Sequence, residues 1–134
     1  MHVDGRCHCG QITYEADVEP ALTSVCHCTD CQMLTGSAYR VSVRAPRESF
    51  RLLTGKPTTY IKTAESGAKR IHAFCPTCGA PVYASAAEDN PSVYALRVGC
   101  LRQRAELAPK KQIWCRSSLQ WSGDLGGLPR TDRQ

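Results

Sequence analysis

Seven of the nine cysteines in this 134-residue sequence fall into short groups whose spacing suits metal binding. The groups are Cys7 and Cys9; Cys26, Cys28 and Cys31; and Cys75 and Cys78. Cysteines separated by one or two residues form disulfides poorly, whereas such pairs commonly offer two thiolates to one metal ion. The spacing therefore predicts zinc sites rather than a disulfide framework.

The segment 75–79, Cys-Pro-Thr-Cys-Gly, is typical of a zinc knuckle, in which a tight turn brings two thiolates to one ion. A structural zinc needs four ligands, so the knuckle needs a second pair. Residues i and i+2 of a strand lie about 6.6 Å apart, so the segment 7–10, Cys-His-Cys-Gly, must bend to supply that pair. Gly5 and Gly10 would permit the bend. We predict a structural zinc held by Cys7, Cys9, Cys75 and Cys78.

The segment 26–31, Cys-His-Cys-Thr-Asp-Cys, offers three thiolates within six residues. Three protein ligands leave one position of a zinc ion open for water or a substrate atom, as in catalytic zinc sites. The alternative is a site closed by a fourth ligand, supplied by His8, His27, His72 or Cys100. The first two histidines lie between ligand cysteines, where an extended backbone would point them away from the metal. We predict a catalytic zinc held by Cys26, Cys28 and Cys31, and hence two zinc ions per chain.

Two cysteines remain outside these groups. Cys100 shares strand parity with Tyr94, Leu96 and Val98, which predicts a thiol buried in the core. Cys115 has no neighbouring cysteine and is predicted to be structural as well.

Strand patterns dominate the sequence around the cysteine groups. Between residues 37 and 45 apolar and polar residues alternate, as expected for a half-buried strand. Similar short runs, separated by turn residues, predict strands at 11–15, 50–53, 58–62, 70–74, 81–84 and 93–99. One short helix is predicted from about Thr29 to Leu34, capped by Thr29 or Asp30 and ended by Gly36. The expected fold is mainly β, a small zinc domain built largely from antiparallel strand pairs.

Length and composition predict a single domain, residues 1–134, with a loose tail from about residue 123. The first residues lack the apolar run of a signal peptide, and no stretch approaches the roughly 20 apolar residues of a membrane span. A reducing cytoplasm, where disulfides are rare, is therefore expected. The formal charge is +5, but seven thiolates and two zinc ions would lower it by three. Basic residues are also scattered rather than clustered, so a nucleic-acid partner is not favoured.

Three ordered motifs, Cys-x-Cys-Gly, Cys-His-Cys-x-x-Cys and Cys-Pro-x-Cys-Gly, carry a resemblance to a known family. Together with Ile113-Trp114 and Leu119-x-Trp121, they resemble the glutathione-dependent formaldehyde-activating enzyme family, which includes centromere protein V-like relatives. The resemblance extends from about Arg6 to Trp121. It implies a β-rich fold like that of methionine sulfoxide reductase B, with a four-cysteine structural zinc and a three-cysteine zinc at the active site.

The resemblance also implies an activity, a carbon–sulfur lyase that forms or cleaves the adduct of glutathione and formaldehyde, S-hydroxymethylglutathione. Cys26, Cys28 and Cys31 would then be the catalytic ligands, and a small thiol and a small aldehyde the partners. Arg40, Arg44 or Arg70 could bind the two carboxylates of glutathione, although each pattern fits a solvated strand residue better.

Two other functions are considered. A non-catalytic zinc-binding interaction module, binding protein or nucleic acid, predicts closed zinc sites or a continuous basic patch. A methionine sulfoxide reductase needs an exposed, activated cysteine outside the zinc sites, and neither Cys100 nor Cys115 has neighbours that would activate it.

Overall fold

The computed structural model describes residues 1–134, which form ten strands in two sheets and one α-helix. The strands are β1 (His2–Arg6), β2 (Thr13–Asp17), β3 (Ser24–Cys26), β4 (Arg40–Pro46), β5 (Arg51–Thr54), β6 (Thr58–Thr63), β7 (Lys69–Phe74), β8 (Pro81–Ala86), β9 (Val93–Arg97) and β10 (Lys111–Ile113), and the helix is α1 (Thr29–Thr35). The predicted mainly-β fold with one short helix is confirmed. The predicted likeness to methionine sulfoxide reductase B stays a prediction.

Three strands, β1, β3 and β10, were not expected from the sequence. Both β3 and β10 are only three residues long and pair with each other in parallel, so neither shows an alternating pattern of its own. β1 carries charged and glycine residues that are poor strand formers. These strands form because tertiary partners supply their backbone hydrogen bonds.

The strands form a three-stranded sheet in the order β1-β2-β5 and a seven-stranded sheet in the order β10-β3-β4-β9-β8-β7-β6. Every strand pair other than β10 with β3 is antiparallel. Gly5 lies within β1 opposite Tyr14, and a Cβ at this position would come within 2.1 Å of the tyrosine ring. The predicted role of Gly5 in bending the chain is therefore wrong, because its lack of a side chain makes room for Tyr14 instead.

The hydrophobic core contains residues from both sheets. The alternation predicted for β4 is observed, since Val43 and Ala45 are fully buried in this core. The core comprises Val3, Cys7, Ile12, Tyr14, Ala16, Val18, Val43, Ala45, Cys75, Val82, Leu96, Val98, Leu101 and Leu107. Two cysteines of the predicted structural site thus belong to the core itself.

The other face of β4 helps to form a cavity. Ala95 of β9 pairs with Arg44 of β4 on one side and with Ala84 of β8 on the other, and Ala84 pairs with His72 of β7. The two alanines have short side chains, whereas the residues on either side of them are long and polar. All four residues line the same cavity. The two short alanine side chains form its base, called here the Ala84–Ala95 floor, and the longer polar side chains stand on either side.

Helix α1 begins directly after a cysteine. Its N-cap is Cys28, whose Sγ accepts a hydrogen bond from the Cys31 N–H at 3.3 Å. The predicted cap at Thr29 or Asp30 is therefore wrong, because the sulfur already satisfies one of the free N–H groups of the first turn. The helix ends at Gly36, as predicted, in a left-handed conformation with φ of 63°.

The α-helix α1 has only seven residues, and none of the helices could span a membrane. The last residues, 123–134, are all exposed to solvent.

Candidate metal centres

The four cysteines predicted to form a structural site come together in space. Their sulfur atoms all lie within 4.8 Å of one another. The Sγ of Cys9 is 3.6 Å from that of Cys7 and 3.7 Å from that of Cys75. Four sulfurs bound tetrahedrally at about 2.3 Å from one zinc ion would be about 3.8 Å apart. The observed separations therefore fit zinc.

Two glycine turns build this four-cysteine cluster. After β1, the Gly10 N–H donates to the Cys7 carbonyl at 3.1 Å, and Gly10 has φ of 86°. After β7, the Gly79 N–H donates to the Cys75 carbonyl at 2.8 Å, and Gly79 has φ of 75°. Only glycine adopts such angles without strain, so these residues make the turns that bring each cysteine pair together.

Backbone N–H groups also point at the sulfurs of this cluster. The Ile12 N–H donates to the Cys7 Sγ at 3.3 Å. Hydrogen bonds from the backbone of Cys9 and Ala80 lower the pKa of the Cys78 thiol to about 6. Because such bonds favour the thiolate, they prepare the sulfurs of Cys7 and Cys78 for a cation.

The four-cysteine cluster joins the two sheets. Cys7 follows β1 of the smaller sheet and Cys75 follows β7 of the larger one, and both are 0 % exposed. The two turns also contact each other directly, since the Thr77 hydroxyl donates to the Gln11 side-chain oxygen at 2.7 Å. This arrangement suits a structural role, because the cluster links parts of the core that are distant in sequence.

The three remaining grouped cysteines form a second cluster. Cys26 ends β3, Cys28 caps α1 and Cys31 lies in its first turn. Their sulfur atoms lie within 4.8 Å of one another, and no further Cys, His, Asp or Glu joins them. This three-cysteine cluster can hold a metal ion and would leave a coordination position free of protein atoms.

The residues considered as a fourth ligand lie elsewhere. His8 is exposed, and the buried His27 has its Nε2 2.8 Å from the Gln112 side-chain oxygen. The Cys100 thiol donates to the Pro81 carbonyl at 3.1 Å. Cys100 is half-buried rather than in the core, because β9 ends at Arg97 and strand parity no longer applies.

A cavity of about 890 Å³ opens beside the three-cysteine cluster and is strongly cationic. Two of its basic residues have acidic partners, Lys62 with Asp30 at 2.8 Å and Arg116 with Glu65 at 2.7 Å. Four others form no ion pair with a carboxylate, namely Arg40, Arg44, Arg70 and Arg97. The cavity is therefore suited to an anionic molecule.

Arg97 and His72 form a buried pair in the cavity wall. Arg97 is 6 % exposed, and its guanidinium donates to the Ser42 hydroxyl at 2.9 Å and to the His72 Nδ1 at 3.2 Å. Because arginine can only donate, Nδ1 must be unprotonated and the proton of the neutral ring lies on Nε2. Burial, and then the charges of Arg97 and Arg40, lower the pKa of His72 to about 4. His72 is thus neutral near pH 7.

Arg40 lies directly opposite Cys26 in the β3–β4 ladder and is only 5 % exposed. The prediction of a solvated strand residue is wrong for Arg40, because β3 and α1 pack on this end of β4. The positive charge of Arg40 also favours the thiolate form of a cysteine in the cluster. Hydrogen bonding from Cys26, then from Cys28, and the charges of Arg40 and Arg97 lower the pKa of the Cys31 thiol to about 5.

The rim of the cavity contains a strained residue. Trp114 has φ of 57°, a left-handed conformation that a bulky side chain rarely adopts. The Arg116 guanidinium lies 5.0 Å from the Trp114 ring and also binds Glu65, which links the C-terminal segment to the β6–β7 turn. Cys115 between them is exposed and lies outside both the cavity lining and the two cysteine clusters, and its structural role stays a prediction.

The sequence did not single out Lys62, Arg97 or Arg116 as site residues, and it considered His72 only as a metal ligand. Lys62 lies in β6, His72 in β7, Arg97 in β9 and Arg116 in the C-terminal segment. The order of the strands in the sheet brings these four residues to one cavity. One signal for Arg97 was available in the sequence, because its charge interrupts an otherwise apolar stretch in β9.

Comparison with known proteins agrees with this picture. A family model described as "Glutathione-dependent formaldehyde-activating enzyme" matches residues 2–117. No curated protein matches the sequence. Among solved structures, the crystal structure of a Rhodobacter sphaeroides protein, a structural genomics target, has a TM-score of 0.63 and 24 % sequence identity, covering 84 % of this chain and 99 % of that one. This structural likeness shows a shared fold.

Proposed function

The chain belongs to the glutathione-dependent formaldehyde-activating enzyme family, and on this basis we propose that it is a zinc-dependent carbon–sulfur lyase. It forms or cleaves a thiol–aldehyde adduct of the S-hydroxymethylglutathione type. The observation that carries the proposal is the three-cysteine cluster, which lacks a fourth protein ligand and lines a cationic cavity. A purely structural site would be closed and would need no cavity.

The two cysteine clusters are proposed to hold one zinc ion each. Cys7, Cys9, Cys75 and Cys78 would hold the structural ion, and Cys26, Cys28 and Cys31 the catalytic ion. Thiolate ligands and sulfur separations near those of tetrahedral zinc support this choice of metal. When bound at the three-cysteine cluster, zinc supplies an open position that favours the thiolate form of a thiol. Seven reduced cysteines also suit the reducing cytoplasm.

The protein's own residues would bind and orient the thiol. Glutathione carries two carboxylates, and Arg44 and Arg70 line the cavity without acidic partners of their own. They stand on β4 and β7, on opposite sides of the Ala84–Ala95 floor. We assign to them the carboxylates of the thiol, which would leave its sulfur free to reach the cysteine cluster.

The test combines metal content with turnover. Zinc per chain is measured by elemental analysis on protein purified without chelator, and exchange between glutathione, formaldehyde and their adduct is followed by NMR. We expect two zinc ions and exchange faster than the uncatalysed reaction. Cys28→Ser should lose one zinc ion and the rate enhancement, whereas the matched control Cys115→Ser, at an exposed cysteine outside both clusters, should keep both.

The other outcomes separate the competing functions. Two zinc ions without rate enhancement for glutathione or other small thiols would contradict the lyase and favour a zinc-binding interaction module. One zinc ion in the wild-type protein would contradict the metal site at the three-cysteine cluster.

A further inference from the structure

The side chain of Arg40 forms no hydrogen bond and no carboxylate ion pair within the protein. It is only 5 % exposed, and its fully buried Nε has no hydrogen-bond acceptor. None of its guanidinium nitrogens donates a hydrogen bond to another residue of the chain. Burying an unpaired charge costs free energy, so a fold that retains one requires a compensating group or a functional reason.

Arg97, the other buried arginine of the cavity, also has an Nε without an acceptor, but its Nη groups differ from those of Arg40. Both Nη atoms of Arg97 already donate, one to Ser42 and one to His72. The Nη groups of Arg40 remain available, although Arg40 lies opposite Cys26 in the strand ladder and lines the same cavity. Arg40 is therefore the buried cation whose N–H groups are free beside the three-cysteine cluster.

In the proposed reaction the carbonyl oxygen of the aldehyde gains a negative charge. Formaldehyde is neutral, so its carbonyl oxygen gains less from a buried cation before the reaction than the charged oxygen gains after it. When the thiolate sulfur forms a bond to the aldehyde carbon, the π electron pair of the C=O bond moves to oxygen and leaves an alkoxide. That oxygen then takes a proton from solvent, which balances the proton released when the thiol became a thiolate.

We propose that Arg40 is a catalytic residue whose guanidinium donates hydrogen bonds to this oxygen as its charge develops. The inference rests on the proposed function and adds to it a residue that acts on the aldehyde half of the adduct. A fixed cation in a buried site stabilises the alkoxide more than the neutral aldehyde, and this difference lowers the reaction barrier. The same contact would assist the reverse reaction, because the adduct must lose its hydroxyl proton before the C–S bond breaks.

The first test measures kinetics in zinc-loaded protein. Removing one donor to an oxyanion commonly lowers kcat about 100-fold or more, so we expect Arg40→Met to lower kcat by about that factor with little change in KM. Arg40→Lys should recover part of the rate, because it restores the charge without the planar fork. The matched control is Arg47→Met, at an exposed residue just after β4 and outside the cavity lining, which should leave kcat unchanged. Equal rates for wild type and Arg40→Met would overturn the proposal.

The second test asks whether Arg40 has only a structural role. Because its guanidinium forms no hydrogen bond or carboxylate ion pair in the chain, Arg40→Met should unfold at the same temperature as wild type or at a higher one, and zinc-saturated protein should retain both zinc ions. A lower unfolding temperature together with lost zinc would show that Arg40 supports the fold, and the proposal would then be overturned.

The third test needs no turnover. Mercaptoacetate carries a negatively charged oxygen three bonds from its sulfur, one bond farther than the oxygen of the adduct, whereas 2-mercaptoethanol carries a neutral hydroxyl at the same three-bond distance. By calorimetry on zinc-loaded protein, Arg40→Met should weaken mercaptoacetate binding about tenfold or more and 2-mercaptoethanol binding less than threefold. Equal weakening of both thiols would contradict contact between Arg40 and the anionic oxygen.

This binding test separates the two proposals. A wild-type protein that discriminates between the two thiols through Arg40 but accelerates no adduct exchange would overturn the lyase function, while the anion contact of Arg40 would be supported. Adduct exchange that is as fast in Arg40→Met as in wild type would overturn the role of Arg40 and leave the lyase standing.

Discussion

The two cysteine clusters use the same ligand chemistry in opposite surroundings. The four-cysteine cluster joins turns of two different sheets and places Cys7 and Cys75 in the core with no exposed surface. The three-cysteine cluster comes from one continuous segment, 26–31, and lines an open cavity with unpaired arginines. One cluster therefore connects distant parts of the chain, and the other presents sulfur to solvent and ligands.

The difference shows how position rather than residue type separates stability from reactivity. A metal at the four-cysteine cluster would cross-link β1 and β7, which are distant in sequence and belong to different sheets. The free energy of metal binding would therefore contribute to the free energy of folding. A metal at the three-cysteine cluster would close only a six-residue segment, and its loss would leave the sheets intact. The charges differ as well, since four arginines without a carboxylate partner line the cavity beside the second cluster.

The largest expected difference is between two substitutions, one cysteine to serine in each cluster. Cys75→Ser should abolish folding or cause aggregation, because structural zinc can contribute about 10 kcal/mol or more. Cys28→Ser should remain folded with one zinc ion lost. Circular dichroism and thermal unfolding of the two variants provide the measurement. Equal loss of structure in both would contradict the proposed division between the clusters.

A chelator should remove zinc from the two clusters one after the other. The three-cysteine cluster offers three ligands beside a cavity, whereas the four-cysteine cluster offers four, of which Cys7 and Cys75 are fully buried although Cys9 is exposed. A chelator should therefore extract one zinc ion quickly with circular dichroism unchanged, and the second slowly together with unfolding. Release monitored with a chromogenic chelator checks this order. Simultaneous release of both ions with unfolding would show that the two sites are not independent.

A smaller effect is expected next to the four-cysteine cluster, at Gly5. An alanine Cβ would come within 2.1 Å of the Tyr14 ring in the core. Overpacking of this kind costs about 1–3 kcal/mol, so Gly5→Ala should lower the unfolding temperature without lowering the zinc content of the folded protein. Gly99→Ala, where a Cβ meets no atom within 4 Å, is the control and should be nearly neutral. Equal stability of the two variants would mean that Tyr14 moves aside freely.

The smallest effect is expected at the cavity rim. Glu65 and Arg116 form an exposed ion pair, with side chains 66 % and 67 % exposed. Such pairs contribute at most about 1 kcal/mol, so Glu65→Gln should change the free energy of unfolding by less than that, with the difference vanishing at high salt. Denaturant unfolding at two salt concentrations measures it. A loss of more than about 2 kcal/mol would show that the rim supports the fold as the four-cysteine side does.

Much of the cysteine arrangement was predictable from the sequence, whereas the cationic surroundings of the three-cysteine cluster were not. The cysteine groups 7–9, 26–31 and 75–78 are short, so the chain itself holds their members near one another. The strands with clear alternation, such as β4, were also found. The short strands β3 and β10 were missed because each depends on its partner for hydrogen bonds. The N-cap was misplaced because a cysteine sulfur, rather than an oxygen, accepts the N–H at the start of α1.

The sequence by itself determined the family, the mainly-β fold and the grouping of seven cysteines, because local spacing and alternation reflect short-range geometry. Only the tertiary structure decided that Cys7 and Cys9 meet Cys75 and Cys78, and that no fourth ligand joins Cys26, Cys28 and Cys31. It also decided that Arg40 is buried without a hydrogen-bond or carboxylate partner rather than solvated. The physical reason is that strand order, and not sequence distance, determines which side chains share a cavity and which charges are left unpaired there.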